Sequence, residues 1–134
     1  MTQDEMQEYF PKVYPKMFGG RYGGIACGAG WFHILDKLCA NIQHHLNWKN
    51  KNEEVVKQVT IAQVKEKFGS LRFYYEGGDD AIYGMVRVAE SMSGVTCEEC
   101  GNIGETRSGG WIRTLCDTHE AERQAKMKER FGDE

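Results

Sequence analysis

The sequence predicts an α+β chain in two parts: N-terminal helices with a β-hairpin over residues 1–94, then a small cysteine-organised module over residues 95–134. Three observations carry this. Apolar residues recur at helical spacing in separate segments. Two runs rich in β-branched and aromatic residues lie close together between residues 54 and 75. Finally, three cysteines and a histidine near the C-terminus fall in two closely spaced pairs. The chain has 134 residues, 40% hydrophobic and 28% charged, which suits one compact domain with a small appendage.

The elements follow in order. Met6, Tyr9, Phe10, Val13, Tyr14, Met17 and Phe18 are spaced by threes and fours, which predicts helix. Pro11 and Pro15 interrupt the pattern, so a broken helix or two short turns are expected. "GGRYGGIACGAG" (19–30) holds six glycines in twelve residues and reads as a loop. It leads into "WFHILDKLCANIQHHLNW", where Trp31, Ile34, Leu35, Leu38, Ile42 and Leu46 share one helical face. Two readings of the glycine loop stand: a structural crossing, or backbone amides offered to an anion before a helix. The dinucleotide fingerprint is absent, because Gly28-Ala29-Gly30 lacks a third glycine at the required spacing.

After the polar break 50–53, "EVVKQVTIAQV" (54–64) reads as a strand. "KEKFGS" reads as a turn and "SLRFYYE" as the second strand, with Leu71, Phe73 and Tyr75 on one face and Arg72 and Tyr74 on the other. Ile61, Val64 and Phe68 are also helically spaced; the hairpin is the preferred reading. Asp79 or Asp80 suits the cap of a helix over "AIYGMVRVAESMSG", buried through Ile82, Met85, Val86 and Ala89 and closed by Gly94.

The chemistry-bearing motif is Cys97-x2-Cys100, fifteen residues, then Cys116-x2-His119. Paired ligands at this separation are those of a structural zinc site, since each pair turns the chain so that both side chains reach one ion. Gly101 and Gly104 suit a knuckle, Gly109-Gly110 a hairpin turn, and "WIRTLC" a return strand with Trp111 covering the site. Asp117 is the expected helix cap, with Glu120 completing a capping box. Knuckle, hairpin and helix in this order predict a treble-clef zinc finger. A redox pair would instead open a long helix directly, and a His-metal nuclease would need a histidine within 101–115, where none occurs. Three thiolates and one imidazole leave no open position for an activated water, so one structural Zn²⁺ and no catalytic residues are expected.

Other candidates are bland. Cys27 and Cys39 read as small apolar residues, His45 as a satisfied core histidine, and His33 and His44 as polar-face residues. Five cysteines is an odd number, and the N-terminus carries no secretory pattern, so a reducing cytosolic setting is expected. No apolar run approaches membrane-spanning length. The formal charge is −3, unlike the basic footprint of a nucleic-acid binder. The local exception is 49–72, where Lys49, Lys51, Lys57, Lys65, Lys67 and Arg72 face three glutamates; it reads as a solvated face.

The runs "GWFHILDKLC", "VKEKFGSLRFYY", "CEECG" and "GGWIRTLCDTH" resemble a group of small, functionally undescribed proteins of tailed bacteriophages. The resemblance spans about residues 30–120 and implies action in the host bacterial cytoplasm on a host factor, including immune components. Three binding roles are open, the last two read from the residues themselves. The first is binding of a host bacterial protein. The second is binding of a small nucleotide signal through Arg21, Tyr22, Arg72 and Tyr74. The third is binding of nucleic acid through Arg107, Arg113, Arg123 and Lys126 of the zinc module.

Overall fold

A computed structural model describes residues 1–20 and 22–132. Arg21, a ligand candidate, lies outside the described residues. The chain is α+β, built on a three-stranded sheet with helices packed over one face and a two-stranded hairpin near the C-terminus.

Helix α1 (Gln3–Val13) opens with a capping box between Thr2 and Glu5. Pro11 stays inside it, and the break comes later, at Tyr14. There the following proline disfavours helical backbone, and Tyr14 adopts φ −122°, ψ 63° before α2 (Pro15–Phe18). The glycine loop is not wholly irregular, for it contains a two-residue strand, β1 (Ile25–Ala26), parallel to β2. The free edge of β1 is satisfied by Gln7, whose amide both donates to the Ile25 carbonyl and accepts from the Ile25 N–H. So short a strand leaves no periodicity to read.

A 3-10 turn (Ala29–Trp31) leads into α3 (Phe32–Lys49), which buries Leu35, Leu38, Cys39, Ile42 and Leu46. The predicted strand at 54–64 is displaced. Residues 54–59 are not ladder, because the Asn50 side chain takes the N–H groups of Val55 and Val56 and donates to the Val56 carbonyl. β2 therefore runs Thr60–Lys67 and pairs antiparallel with β3 (Ser70–Glu76). Residues 60–67 are strand, which rules out the helical alternative. The turn shrinks to Phe68-Gly69, both at positive φ (55° and 82°), a two-residue type I′ connection.

α4 (Asp80–Ser93) is capped by Asp79, whose carboxylate accepts the Ile82 N–H, and Gly94 closes it. The hydrophobic core joins α1, α2, α3, α4 and the inner sheet face, with Trp31, Phe10, Met6, Met17 and Ile42 fully enclosed. Cys27 and Cys39 sit in it as protonated small apolar groups; burial pushes the Cys27 thiol up to about 12. Three hydrogen bonds bind the N-terminal helices to α3: Tyr9 and Tyr14 both donate to the Asp36 carboxylate, and Tyr14 also to the Asp36 carbonyl. The Asp36 carboxylate is thus engaged by these two tyrosines. His45 is satisfied by Asp79 at 2.9 Å, as expected of a half-buried histidine. None of the described helices is long and apolar enough to cross a membrane.

Candidate metal centre

The last segment is organised by its turns. Thr96 bridges Ile103, the Cys97 N–H donates to the Asn102 carbonyl, and Gly101 at φ 83° donates back to the Cys97 carbonyl. This knuckle points Cys97 and Cys100 the same way. Strands β4 (Glu105–Arg107) and β5 (Arg113–Leu115) form the hairpin, turning through Gly109 and Gly110 at φ 95° and 93°. Helix α5 (Asp117–Phe131) follows and supplies His119.

The ligand atoms of Cys97, Cys100, Cys116 and His119 all lie within 4.8 Å of one another. Cys100 Sγ is 3.8 Å from Cys116 Sγ, and His119 Nδ1 is 3.6 Å from Cys97 Sγ and 3.2 Å from Cys116 Sγ. Zinc–thiolate and zinc–imidazole bond lengths imply tetrahedral edges of about 3.8 and 3.6 Å. The four predicted ligands therefore converge on a site that could hold a tetrahedral metal ion. Cys97 is fully buried, Cys100 is exposed, and the other two are half-buried, so the site lies just under the surface. The His119 N–H, donating to the sulfur, pulls the Cys116 thiol down to about 7, which favours the thiolate that a metal needs. His119 Nε2 lies 3.8 Å from a Glu122 carboxylate oxygen, an ionic contact longer than a hydrogen bond.

Two local expectations are corrected. The cap of α5 is Cys116, not Asp117: Cys116 holds extended backbone and its Sγ accepts the His119 N–H at 3.4 Å. Asp117 turns outward to Arg107 at 2.8 Å, and Glu120 pairs with Arg123 and Gln124 instead of closing a capping box. Trp111 is 73% exposed and does not cover the cluster; its indole donates to Glu66 on β2.

The knuckle is docked onto the N-terminal elements through a residue that the sequence reading passed over. Glu98 is buried between the two cysteines of the first pair. Its carboxylate accepts the Gly28 N–H at 2.8 Å, its carbonyl accepts the Gly30 N–H at 2.7 Å, and its own N–H donates to Thr114 of β5. A Cβ at Gly28 or Gly30 would collide with the Glu98 or Cys97 backbone. The anion offered to the glycine loop is thus the chain's own carboxylate. Burial raises the Glu98 pKa, opposed by the Gly28 amide and by Arg113, whose Nη2 makes an ionic contact at 3.5 Å with the second oxygen. Trp31 Nε1 to the Thr96 carbonyl, and Thr114 Oγ1 to the Gly69 carbonyl, complete the attachment. Doubled glycines and an acid inside the cysteine pair were the only signals available in the sequence.

The remaining candidates do not gather into one site. Tyr22 packs edge-on against Phe18 at the margin of the core. Arg72 is half-buried and Tyr74 exposed on the outer face of β3. In the C-terminal segment Arg107 is held by Asp117 and the Leu115 carbonyl, Arg113 by Glu99, and Arg123 by Glu120 and two backbone carbonyls. Those guanidinium groups serve the fold first. Comparison with models of protein families, with curated proteins and with solved structures returned no match.

Proposed function

We propose that Cys97, Cys100, Cys116 and His119 bind one structural zinc ion in a treble-clef module, and that the protein is a non-enzymatic binding protein. Three thiolates and one imidazole in tetrahedral array are a zinc donor set, and they fill every coordination position. The ion then supplies folding energy on the order of 10 kcal/mol rather than an activated water. It fixes the knuckle, and through Glu98 the knuckle fixes the glycine loop at the start of α3.

The observation that carries the binding role is a groove of about 560 Å³ between α3 and α4. Ile34, Leu38, Met85, Val88 and Met92 line it, with Val88 and Met92 60% and 51% exposed. His33 and Lys37 stand among the lining residues, and no carboxylate does. An apolar, methionine-bearing groove with a basic margin suits an amphipathic helix of a partner protein with acidic residues beside its apolar stripe. The resemblance to phage proteins supports a bacterial host factor as that partner, met in the host cytoplasm.

Affinity capture from infected bacterial lysate, with wild-type and Val88→Asp protein compared, tests this reading. One stoichiometric partner, recovered by the wild type alone and crosslinked through a photoreactive residue at position 88, is expected. Equal recovery by both proteins, or no stoichiometric partner, contradicts it.

A further inference from the structure

We propose that the cleft between the β2–β3 turn and residues 110–112 binds a nucleoside phosphate, its base stacked on the exposed rings of Trp111 and Phe68 and its phosphate held by Lys65 and Lys67. This inference rests on residues other than those of the α3–α4 groove and goes beyond the protein-binding role. The cleft is about 310 Å³, lined by Lys65, Glu66, Lys67, Phe68, Trp111 and the backbone around it, within the size range of small-ligand sites.

Four observations point to an occupant. Phe68 sits at φ 55°, in a turn position that asparagine or glycine fills without strain, and is 67% exposed. The fold gains neither conformational ease nor much burial from a phenyl ring there. Trp111 is 73% exposed yet held at both ends, its indole N–H on Glu66 at 3.3 Å and its carbonyl on Arg123 at 2.7 Å. A large flat ring fixed in place and open to solvent is a stacking platform.

The charge pattern is the third observation. Lys65 stands directly across the ladder from Arg72, and like charges at such positions are destabilising. Lys67 lies 5.6 Å from the Phe68 ring centre. The outward residues of the ladder, Thr60, Gln63, Lys65, Lys67, Ser70, Arg72, Tyr74 and Glu76, include three cations and a single carboxylate, Glu76, at the end far from the turn, and the buried Arg72 Nε has no hydrogen-bond partner among the described residues. Fourth, the one carboxylate in the lining is already engaged: Glu66 accepts from Trp111 and from the Gly69 N–H at 3.0 Å. An anion with an aromatic ring attached answers all four, because stacking and charge are then satisfied by one ligand.

Two sources present this chemistry, a free nucleotide and single-stranded nucleic acid, and the test separates them. The full chain with its metal is titrated with ATP and, in parallel, with a fluorescently labelled single-stranded oligonucleotide. Binding of ATP assigns a nucleotide ligand, and binding of the oligonucleotide alone assigns a single strand. In either case Trp111→Ala and Lys65→Ala/Lys67→Ala should each weaken binding at least about tenfold, in line with stacking worth about 1–3 kcal/mol per base. Removing one lysine should also flatten the salt dependence. Phe68→Asn separates binding from folding, since it should weaken binding while raising the unfolding temperature. Failure of both probes to bind overturns the proposal, as does equal binding by wild type and Trp111→Ala.

Discussion

The amide of Gly28 donates to the carboxylate of Glu98 at 2.8 Å across seventy residues of sequence. It ties the most glycine-rich segment of the chain to the interior of its first cysteine pair. Two parts that read as separate in the sequence therefore share a packed seam, in which no side chain fits at residues 28 and 30. The cluster of Cys97, Cys100, Cys116 and His119 and the start of α3 are positioned by the same contacts.

The seam gives a direct prediction. Gly30→Ala places a methyl group against the Cys97 and Glu98 backbones. Overpacking of this kind costs about 1–3 kcal/mol. Thermal unfolding should fall accordingly, and metal loss to a chelator should accelerate. Gly20→Ala, where a Cβ meets open space, should change neither.

Thr114 is fully buried, and its hydroxyl spans the Gly69 carbonyl and the Thr106 hydroxyl. Thr114→Val keeps the shape but leaves the Gly69 carbonyl without this donor. A loss of about 1–3 kcal/mol is expected in denaturant unfolding. Ser70→Ala on the same turn, whose hydroxyl makes one exposed bond, should cost less than half of that.

Asp79 carries a pH dependence. The His45 ring, donating at 2.9 Å, holds its carboxyl below the ordinary 3.8, helped by the Ile82 N–H at the head of α4. A carboxylate with a depressed folded pKa contributes stability that is present above about pH 3.8 and lost as pH falls through the folded value. Asp79→Asn keeps a capping oxygen but loses the charge. It should lower stability by about 0.5–1 kcal/mol near neutral pH, with the gap to wild type closing under acid. Comparing the two proteins at each pH cancels the acid sensitivity of the metal site.

Val88 tests whether the groove serves partners rather than the fold. Its side chain is 60% exposed on α4. Val88→Asp should therefore leave unfolding within about 0.5 kcal/mol of wild type while abolishing capture of the partner. A large loss of stability would place Val88 among the structural residues instead.

The sequence disclosed those features that depend on local pattern. Both ligand pairs, the long helix α3, the hairpin and the Asp79 cap were legible because spacing, periodicity and capping chemistry act over a few residues. The failures share a cause as well. The strand at 54–59 was lost to the Asn50 side chain, a bond that β propensity does not register. β1 needed Gln7 and β2 to exist. Asp117 has the better capping side chain, but Cys116 is held in extended backbone by its position between strand and helix. Trp111 could be placed only once the β2–β3 turn stood beside it. Glu98 carries no local signal; its burial depends on glycines about seventy residues away.

One metal ion held by Cys97, Cys100, Cys116 and His119 is the proposed staple of the C-terminal segment. Metal content of the purified chain, read together with the absorption spectrum after cobalt substitution, tests it most directly. One zinc per chain, replaceable by cobalt with tetrahedral bands and thiolate charge transfer, both lost together with the folded C-terminal segment in Cys97→Ser, is the predicted result. A metal-free chain whose C-terminal segment stays folded, or an octahedral cobalt spectrum unchanged by Cys97→Ser, would contradict it.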